Sequence, residues 1–459
     1  MTTSPVRGLW GSRLGFILAA AGSAVGLGNI WGFPTQVGRG GGAVFVVIYL
    51  FCIVLICAPI LVAEFVLGRG SRQSPVGAFK YFSSGTRWWW VGALGVVTSV
   101  AIVAFYSVIG GWTIGYVWYA ATGALSSGGE GAGDFFTRFT SNGFKSVFCT
   151  FLFLALAAAS NIGGVRTGIE RVAKTLMPAL LVLLVLLAVR SLTLPGAAEG
   201  LAYYMRPDFS QAFNMSVFGA ALGQAFFSLS LGNGAMLTYG SYLRRSEGIG
   251  RVVLWVVLLD TFIALLAGLI IFPAGFSIAG FDPASTGPGL IFAVLPELFA
   301  TLVGGRLFGG AFFVLLVIAA LTSAISLLEV PVAHMIDRRQ WSRPKAVLVV
   351  SGSAFLLSIP CALGFGAVGS LTDFVPAQWG GGNFLGLVAT LCNNFSLPIG
   401  GMLIAIFVGY VWRVDRAVAE LLAEHAWFPA PRLWGWLIRY VSPLGIAIIL
   451  VISMLAVIV

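Results

Sequence analysis

Long apolar runs recur along the whole chain, and they restrict its fold more than any other feature of the sequence. A helix that crosses a bilayer needs about 20 mainly apolar residues. Eleven such segments are predicted, centred near residues 25, 53, 104, 155, 180, 228, 264, 321, 355, 399 and 446. Only 9% of the 459 residues are charged. The chain is therefore predicted to be an all-α polytopic membrane protein in a lipid bilayer, with residues 1–459 forming a single transmembrane domain.

The distribution of basic residues predicts the orientation of the chain. With the N-terminus in the cytoplasm of a bacterial-type inner (plasma) membrane, 20 of the 26 Lys and Arg residues fall in cytoplasmic segments. This is the bias that the positive-inside rule describes, and eleven spans then place the C-terminus outside. The net charge of +10 is explained by topology, so no nucleic-acid partner is expected, and no obligatory protein partner is evident. The six basic residues left outside are Arg39, Arg138, Lys145, Arg190, Arg206 and Arg306.

The sequence offers little for catalysis, metal binding or a channel. The five cysteines lack ligand spacing, and the only histidines are His334 and His425. A membrane enzyme needs a nucleophile with a base, or a metal cluster, and neither pattern lies in the predicted spans. A channel needs a continuous polar stripe or a charged ring, whereas the polar residues here converge on one depth. The chain is therefore not expected to be an enzyme, and a channel is disfavoured.

Two predicted spans contain residues that break a helix. The first carries AGSAVGLGNIWGFP, from Ala21 to Pro34, and the sixth carries GQAFFSLSLGNGAMLTYGSY, from Gly223 to Tyr242. Inside hydrocarbon, unwound backbone persists only where it is buried in protein or lines a polar cavity. Its free N–H and C=O groups can then bind an anion and a cation. We therefore expect both breaks to provide ligands.

The two breaks occupy matching positions if the chain contains an inverted repeat. Repeats are predicted over about residues 14–192 and 215–413, five spans each, with an extra last helix at about 433–458. Paired interrupted helices of this kind are typical of the midplane binding site of a transporter. The alternative is that the glycines only allow close helix packing, which suffices for Gly234 alone. It accounts less well for polar residues that cluster at the same two points.

Four motifs carry a family resemblance: GSAVGLGNIWGFP, EFVLGRG (residues 64–70), GQAFFSLSLGNGA and AALTSAISLLE (residues 319–329). They resemble the neurotransmitter:sodium symporter family, and particularly its eleven-span bacterial members. The resemblance implies the inverted-repeat fold of the bacterial leucine transporter, with unwound helices 1 and 6. It also implies sodium-coupled uptake of an amino acid or a related amine.

The resemblance further implies two Na⁺ sites, which are the only cofactor sites expected. All of their donors are hard oxygen atoms, which suit a small alkali cation. The first site would be formed by Ala24, Asn29, Ser228 and Asp260. The second would be formed by Gly22, Val25, Ala319, Thr322 and Ser323.

A substrate site follows from the same resemblance. The substrate carboxylate would meet the amides of Leu27 and Gly28 and the Tyr106 hydroxyl, and its amino group would meet carbonyls of Ala24, Phe227 and Ser228, with Ser230 nearby. The side-chain pocket would be lined by Ser23, Ile102, Ile109, Asn233, Ser323, Ser326 and Leu327. Because no ionisable residue lines this pocket, the predicted substrate is a neutral L-amino acid. A polar or larger amino-acid-like substrate, or an amine, remains the alternative.

Three carboxylates, Glu64, Asp260 and Glu329, fall inside apolar spans, where a charge is costly and indicates function. Asp260 stands where many relatives have asparagine, and Ala264 stands where chloride-dependent relatives have serine. We therefore expect Asp260 to supply the negative charge that chloride supplies elsewhere, so that no chloride is needed. Glu64 and Glu329 are predicted to accept hydrogen bonds from unwound backbone.

The resemblance also implies two gates. On the cytoplasmic side, Arg7 would pair with Asp337, with Trp10 packed beneath the pair. On the outer side, Gly32 and Ala389 stand where the family has an arginine and an aspartate, so outer closure would rest on Tyr106 and Phe227. Loss of both charges together leaves neither uncompensated. We expect an outward-open state that is easier to reach, or room for a larger substrate, unless Asp373 reaches the vestibule.

Overall fold

The protein is represented by a computed structural model that describes residues 8–123, 131–207, 214–278, 280–283, 290–296, 299, 304–376, 381–425 and 427–458. Helices dominate these residues. The pairing of Val375 with Gly382 is an isolated antiparallel bridge, and no longer strand occurs in the described part of the chain. The all-α prediction is confirmed.

The described helices agree with the predicted membrane spans. Among the described residues, nine helices and one bent pair are long and apolar enough to cross a bilayer. The broken pair Met215–Ser228 and Ala235–Gly240 lies at the position of the predicted sixth span. The set is thus consistent with eleven spans: Arg13–Ala24 with Gly28–Arg39, Ala43–Ser71, Trp89–Thr122, Gly143–Ile162, Val165–Ser191, Met215–Ser228 with Ala235–Gly240, Ile249–Gly275, Gly305–Arg339, Arg343–Leu363, Phe384–Val411 and Pro431–Val451.

The first span begins with a side-chain cap and then breaks. The Ser12 hydroxyl accepts a hydrogen bond from the Gly15 amide and caps the helix Arg13–Ala24. The helix ends where Val25 adopts an extended conformation. Helical structure begins again at Gly28, and the two helical halves are bent by 47° relative to each other. Glycines at this point lower the cost of leaving the helix.

The sixth span breaks more sharply. Its first half ends at Ser228, and Ser230, Gly232 and Gly234 all adopt positive φ before the second half begins at Ala235. A Cβ atom on Gly232 would overlap the carbonyl oxygen of Leu397 in the tenth span. Glycine is therefore required there both for its backbone conformation and for this close approach.

The two broken spans lie at the centre of the bundle. The first span contacts the fifth, seventh and eighth, and the third packs along the eighth. The second span approaches the second half of the sixth so closely that a Cβ atom on Gly68 would overlap the Leu237 carbonyl. Shorter helices join the spans at their ends; they are Pro75–Phe82, Ala132–Ser141, Ala197–Met205, Gly369–Thr372 and Val414–Leu421. Both breaks are thereby enclosed by protein.

Candidate functional site

A buried polar cluster joins the two breaks to the seventh span. The Asn29 amide nitrogen lies 2.7 Å from Asp260 Oδ1 and 3.0 Å from the Ser228 hydroxyl. That hydroxyl donates to the Asp260 carboxylate at 2.9 Å and accepts a hydrogen bond from Tyr49 at 3.2 Å. All four side chains are fully buried. A carboxylate and two hydroxyls thus meet in a dry environment, and such oxygen atoms suit an alkali cation. Asn29 turns its N–H groups toward them, while its side-chain oxygen accepts a hydrogen bond from the Gly26 amide.

A second oxygen cluster lies at the other end of the first break. The Ser323 hydroxyl is 3.4 Å from the Gly22 carbonyl and 3.3 Å from the Val25 carbonyl. One residue earlier, the Thr322 hydroxyl lies 3.0 Å from the Ala319 carbonyl. The eighth span therefore brings the Ser323 hydroxyl to carbonyls at the first break, while the Thr322 hydroxyl bonds a carbonyl of its own helix. These five residues offer the oxygen donors that a small cation needs.

A small cavity lies between these clusters. It is lined by the broken segments together with residues of the third and eighth spans, and the volume open to the centre of a water molecule is about 20 Å³. Tyr106 is part of its wall, and the Tyr106 hydroxyl accepts a hydrogen bond at 3.0 Å from the N–H of Leu27, a residue that does not itself line the cavity. A backbone amide and a phenol at one point form a polar anchor of the kind that binds a carboxylate. The lining residues are Ser23, Ala24, Gly26, Gly28, Ile102, Tyr106, Phe227, Ser230, Asn233, Ser323 and Leu327.

Some of the predicted substrate residues do not border this cavity. Ser326 lies behind it, and its hydroxyl accepts a hydrogen bond from Ser23 at 2.6 Å while donating to the Ser323 carbonyl. Ser228 belongs to the Asp260 cluster instead. Leu27 and Ile109 are both buried, and neither lines the cavity. The hydroxyl groups of Ser23 and Ser326, which were predicted to line the side-chain pocket, thus already have hydrogen-bond partners within the protein.

Gly26 is a site residue that the sequence reasoning missed. A Cβ atom on Gly26 would overlap the Ser323 hydroxyl and lie 2.6 Å from the Tyr106 hydroxyl. Its amide donates to the Asn29 side-chain oxygen at 3.1 Å. Only glycine lets both hydroxyls approach the break, and the glycine-rich motif itself was the available signal.

The two other buried carboxylates have different partners. Glu64 accepts hydrogen bonds from the amides of Gly232 at 2.7 Å and Leu237 at 3.2 Å, so it does hold the unwound sixth span as predicted. Glu329 accepts from the Tyr242 hydroxyl at 2.7 Å and pairs with Arg343 at 2.5 Å. The prediction of backbone donors is therefore wrong for Glu329, because neighbouring side chains satisfy that carboxylate.

The residues of the predicted cytoplasmic gate are only partly within the described residues. Trp10 is buried, its indole donates to the Tyr239 carbonyl at 3.1 Å, and its ring packs edge-on against Tyr239. Asp337 accepts a hydrogen bond from the Ser74 amide at 2.7 Å. Arg7, the predicted partner of Asp337, lies outside the described residues. Trp10 therefore lies against the second half of the sixth span, Ala235–Gly240.

The predicted outer gate positions, Gly32 and Ala389, both carry small residues. A Cβ atom on Gly32 would lie 3.0 Å from the Gln224 side-chain oxygen, and the Gln224 amide donates to the Gly28 carbonyl at 2.7 Å. The Phe227 ring approaches Gly28 and borders the cavity. Ala389 is partly buried in the tenth span. Phe227 thus forms part of the cavity wall, next to the break in the first span.

Comparison with known proteins identifies the kind of molecule to which this site belongs. The model of the sodium:neurotransmitter symporter family matches residues 7–129 and 144–458. The chain belongs to this family. As a symporter-family protein it is a sodium-dependent, multi-pass membrane transporter and not an enzyme.

Individual relatives support the family assignment. The chain is 38% identical to the sodium-dependent transporter YhdH of Bacillus subtilis over 96% of each chain. It is 34% identical to a sodium-dependent transporter of Haemophilus influenzae over 98% of this chain and 99% of that one. Among solved structures, MhsT in complex with L-phenylalanine is 43% identical, with a TM-score of 0.90 over 97% of this chain and 99% of MhsT. The symporter thus has the leucine-transporter-like fold that its motifs implied.

Proposed function

We propose that this symporter imports a neutral L-amino acid together with Na⁺ by alternating access. The observation that carries the proposal is the anchor formed by the Leu27 amide and the Tyr106 hydroxyl, 3.0 Å apart. The Asp260 cluster lies at one end of the same break, and Ser323 lies at the other. An amino acid held between them would have its carboxylate close to cation ligands, so that binding of the two would be coupled.

We propose that the protein has two Na⁺ sites. The first would be bound by Ala24, Asn29, Ser228 and Asp260, with the substrate carboxylate completing the shell. The second would be bound by the carbonyls of Gly22, Val25 and Ala319 and the hydroxyls of Thr322 and Ser323. Because only the first ion would contact substrate, it would set the coupling between them, whereas the second would stabilise the closed break.

Transport is proposed to be independent of chloride. Asp260 already provides a carboxylate in contact with Asn29 and Ser228, and Tyr49 lies one hydrogen bond away. A chloride ion among these groups would lie close to the buried Asp260 carboxylate, and no cationic side chain among the described residues contacts this cluster. The repulsion between the two negative charges would be strong in a dry site. Uptake that disappears when gluconate replaces chloride would contradict this part of the proposal.

The substrate class rests on the cavity walls and on the related structure. Ile102, Leu327 and Phe227 provide apolar surface, while Asn233 and Ser230 provide polar atoms. MhsT, which shares 43% of the sequence, was crystallised with L-phenylalanine. A neutral side chain, including a large one, suits such a wall better than a charged one. The second candidate is a polar or larger amino-acid-like compound or an amine, favoured by the small residues Gly32 and Ala389 where the family has an arginine and an aspartate.

The orientation of the protein in the membrane is proposed from the distribution of its basic residues, and the inverted repeat is proposed from the positions of the two broken spans. The end of the bundle with Trp10, Arg171 and Arg343 would face the cytoplasm, and the last span would end outside. The two groups of five spans, about 14–192 and 215–413, would be inverted repeats, because the breaks fall in the first span of each.

The first experiment measures the melting temperature of the detergent-purified protein with each of the twenty amino acids, in sodium chloride and in potassium chloride. A ligand that binds the folded state raises the melting temperature by mass action. A rise with a few neutral amino acids in sodium alone supports the proposal and names the substrate. No rise with any amino acid in sodium, or the same rise in potassium, would contradict it.

A further inference from the structure

A cleft lined with cations lies beside the start of the fifth span, away from the transport site. Arg166, Arg171 and Lys174 line it, and the volume open to the centre of a water molecule is about 360 Å³. Arg166 and Arg171 are exposed, and neither forms an ion pair with any carboxylate in the described parts of the chain. Their charges are therefore available to a ligand.

The nearby carboxylate does not neutralise this cleft. Glu170 is almost completely buried and pairs with Lys174 at 2.6 Å. It also accepts hydrogen bonds from the Gly11 amide at 2.6 Å and from the Ser12 hydroxyl at 2.9 Å. With three cations and one satisfied carboxylate, the lining carries a net charge of +2. Such a cleft suits an anion with several oxygen atoms, because each guanidinium can donate two parallel hydrogen bonds.

The same helix face continues into an apolar stripe. Within the helix Glu170–Ser191, Arg171 and Thr175 are exposed and are followed at helical spacing by exposed Val182, Leu186 and Val189. These large apolar side chains lie within a predicted span, where their exposed surface meets lipid chains. The cationic end of this face therefore lies at the level of phospholipid headgroups, and the apolar part extends along the acyl chains.

We propose that this face binds an anionic phospholipid, with its phosphate between Arg166 and Arg171 and one acyl chain along Val182 and Leu186. The charge selects an anionic headgroup over a zwitterionic one, and the adjoining stripe selects a lipid over a soluble phosphate. The site is independent of the amino-acid substrate and of the proposed Na⁺ ligands.

The cleft is linked by side-chain contacts to the first span, which contains one of the two breaks. Lys174 contacts the carboxylate of Glu170, and Glu170 holds the Gly11 amide and the hydroxyl of Ser12 that caps the first span. A phosphate bound to Arg166 and Arg171 would restrain the start of the fifth span, next to the contact of Glu170 with Gly11 and Ser12. Bound lipid would therefore stabilise the junction between the fifth span and the start of the first.

The test compares two variants of the full-length purified protein in mixed micelles. Arg166→Gln with Arg171→Gln removes the two unpaired cations. Arg87→Gln with Arg339→Gln is the matched control, because it removes two exposed cations from the same end of the bundle, away from this cleft. Melting temperatures are measured with phosphatidylglycerol, with phosphatidylcholine, with glycerol phosphate and with inorganic phosphate. Native mass spectrometry counts the phosphatidylglycerol molecules that each variant retains.

The expected result is a rise in melting temperature with phosphatidylglycerol that greatly exceeds the rise with phosphatidylcholine. The R166Q/R171Q variant should lose at least half of that difference and retain fewer phosphatidylglycerol molecules, whereas the R87Q/R339Q control should keep both. If the double variant is not recovered, R171Q alone should show the same change in smaller degree. Equal responses of both double variants would overturn the proposal, and so would an equal stabilisation by inorganic phosphate or glycerol phosphate.

Discussion

Asn29 and Asp260 are in direct contact: the asparagine amide nitrogen lies 2.7 Å from the carboxylate oxygen and 3.1 Å from the aspartate's own carbonyl. The break of the first span is thereby tied to the middle of the seventh. The contact forms in a fully buried environment, where an unpaired carboxylate would be costly. Any change in the charge of Asp260 should therefore affect both ion binding and the closure of the break.

Replacing Asp260 with asparagine should weaken sodium binding and create a response to chloride. Removing the charge takes away the proposed anionic ligand of the first ion. We expect the sodium concentration for half-maximal uptake to rise about tenfold, equivalent to about 1.4 kcal/mol. Uptake should then be faster in chloride than in gluconate. Asp415→Asn, at an exposed position on the helix Val414–Leu421, is the control and should leave both properties unchanged. A D260N protein with wild-type sodium dependence would disprove the assignment.

Replacing Thr322 with valine should affect sodium dependence without altering the cavity wall. Its hydroxyl lies 3.0 Å from the Ala319 carbonyl, but Thr322 does not line the substrate cavity. We expect a sodium requirement raised about tenfold, with substrate affinity recovered at saturating sodium. Ser353→Ala removes an exposed hydroxyl from the ninth span and should have no effect. A lowered substrate affinity at all sodium concentrations would point to a structural defect instead.

Gly232 and Gly223 provide a matched pair on the sixth span. An alanine at 232 would need positive φ and would overlap the Leu397 carbonyl, so we expect little folded protein. An alanine at 223 has no neighbour within 4 Å and lies inside the helix Met215–Ser228, so it should stabilise slightly, by about 0.5–1 kcal/mol. Yield after size-exclusion chromatography and the melting temperature distinguish the two. A G232A protein as stable as G223A would contradict the described break.

Replacing Glu64 with glutamine should loosen the unwound sixth span. The carboxylate accepts from two backbone amides, whereas the glutamine side chain has only one acceptor and would turn an N–H group toward the other. Leaving one buried amide unpaired costs about 1–3 kcal/mol, which should lower the melting temperature clearly. The exposed Glu199→Gln substitution is the control. An unchanged melting temperature for E64Q would mean that the amides find other acceptors.

Restoring charges at the outer side tests the interpretation of Gly32 and Ala389. A single Gly32→Arg or Ala389→Asp substitution would place one uncompensated charge at a partly buried position, and each should slow uptake about tenfold or more. The double variant should recover much of the rate, because each charge then has a partner. Initial uptake rates of the four proteins form a double-mutant cycle. Additive losses would show that the two positions do not face each other.

The sequence revealed the site where polar residues interrupted an apolar background. Asn29 and Asp260 could be recognised because each is costly in a span, and Gly232 because it breaks a helix. The partner of Glu329 could not be recognised, since Arg343 lies across a turn and their contact depends on the rotation of two helices. The role of Gly26 could not be recognised either, because it depends on the hydroxyls of Tyr106 and Ser323, which come close to Gly26 from two other spans.

The size of the central cavity has a consequence for the kinetics of binding. Its volume of about 20 Å³ exceeds only slightly the roughly 10–15 Å³ that one water molecule needs by the same measure. An amino acid therefore cannot enter this conformation, and it must meet a wider one. The measured dissociation constant will then contain the population of that wider form as well as the strength of the contacts. At high substrate concentration, the observed rate of association should reach a plateau set by opening rather than by collision.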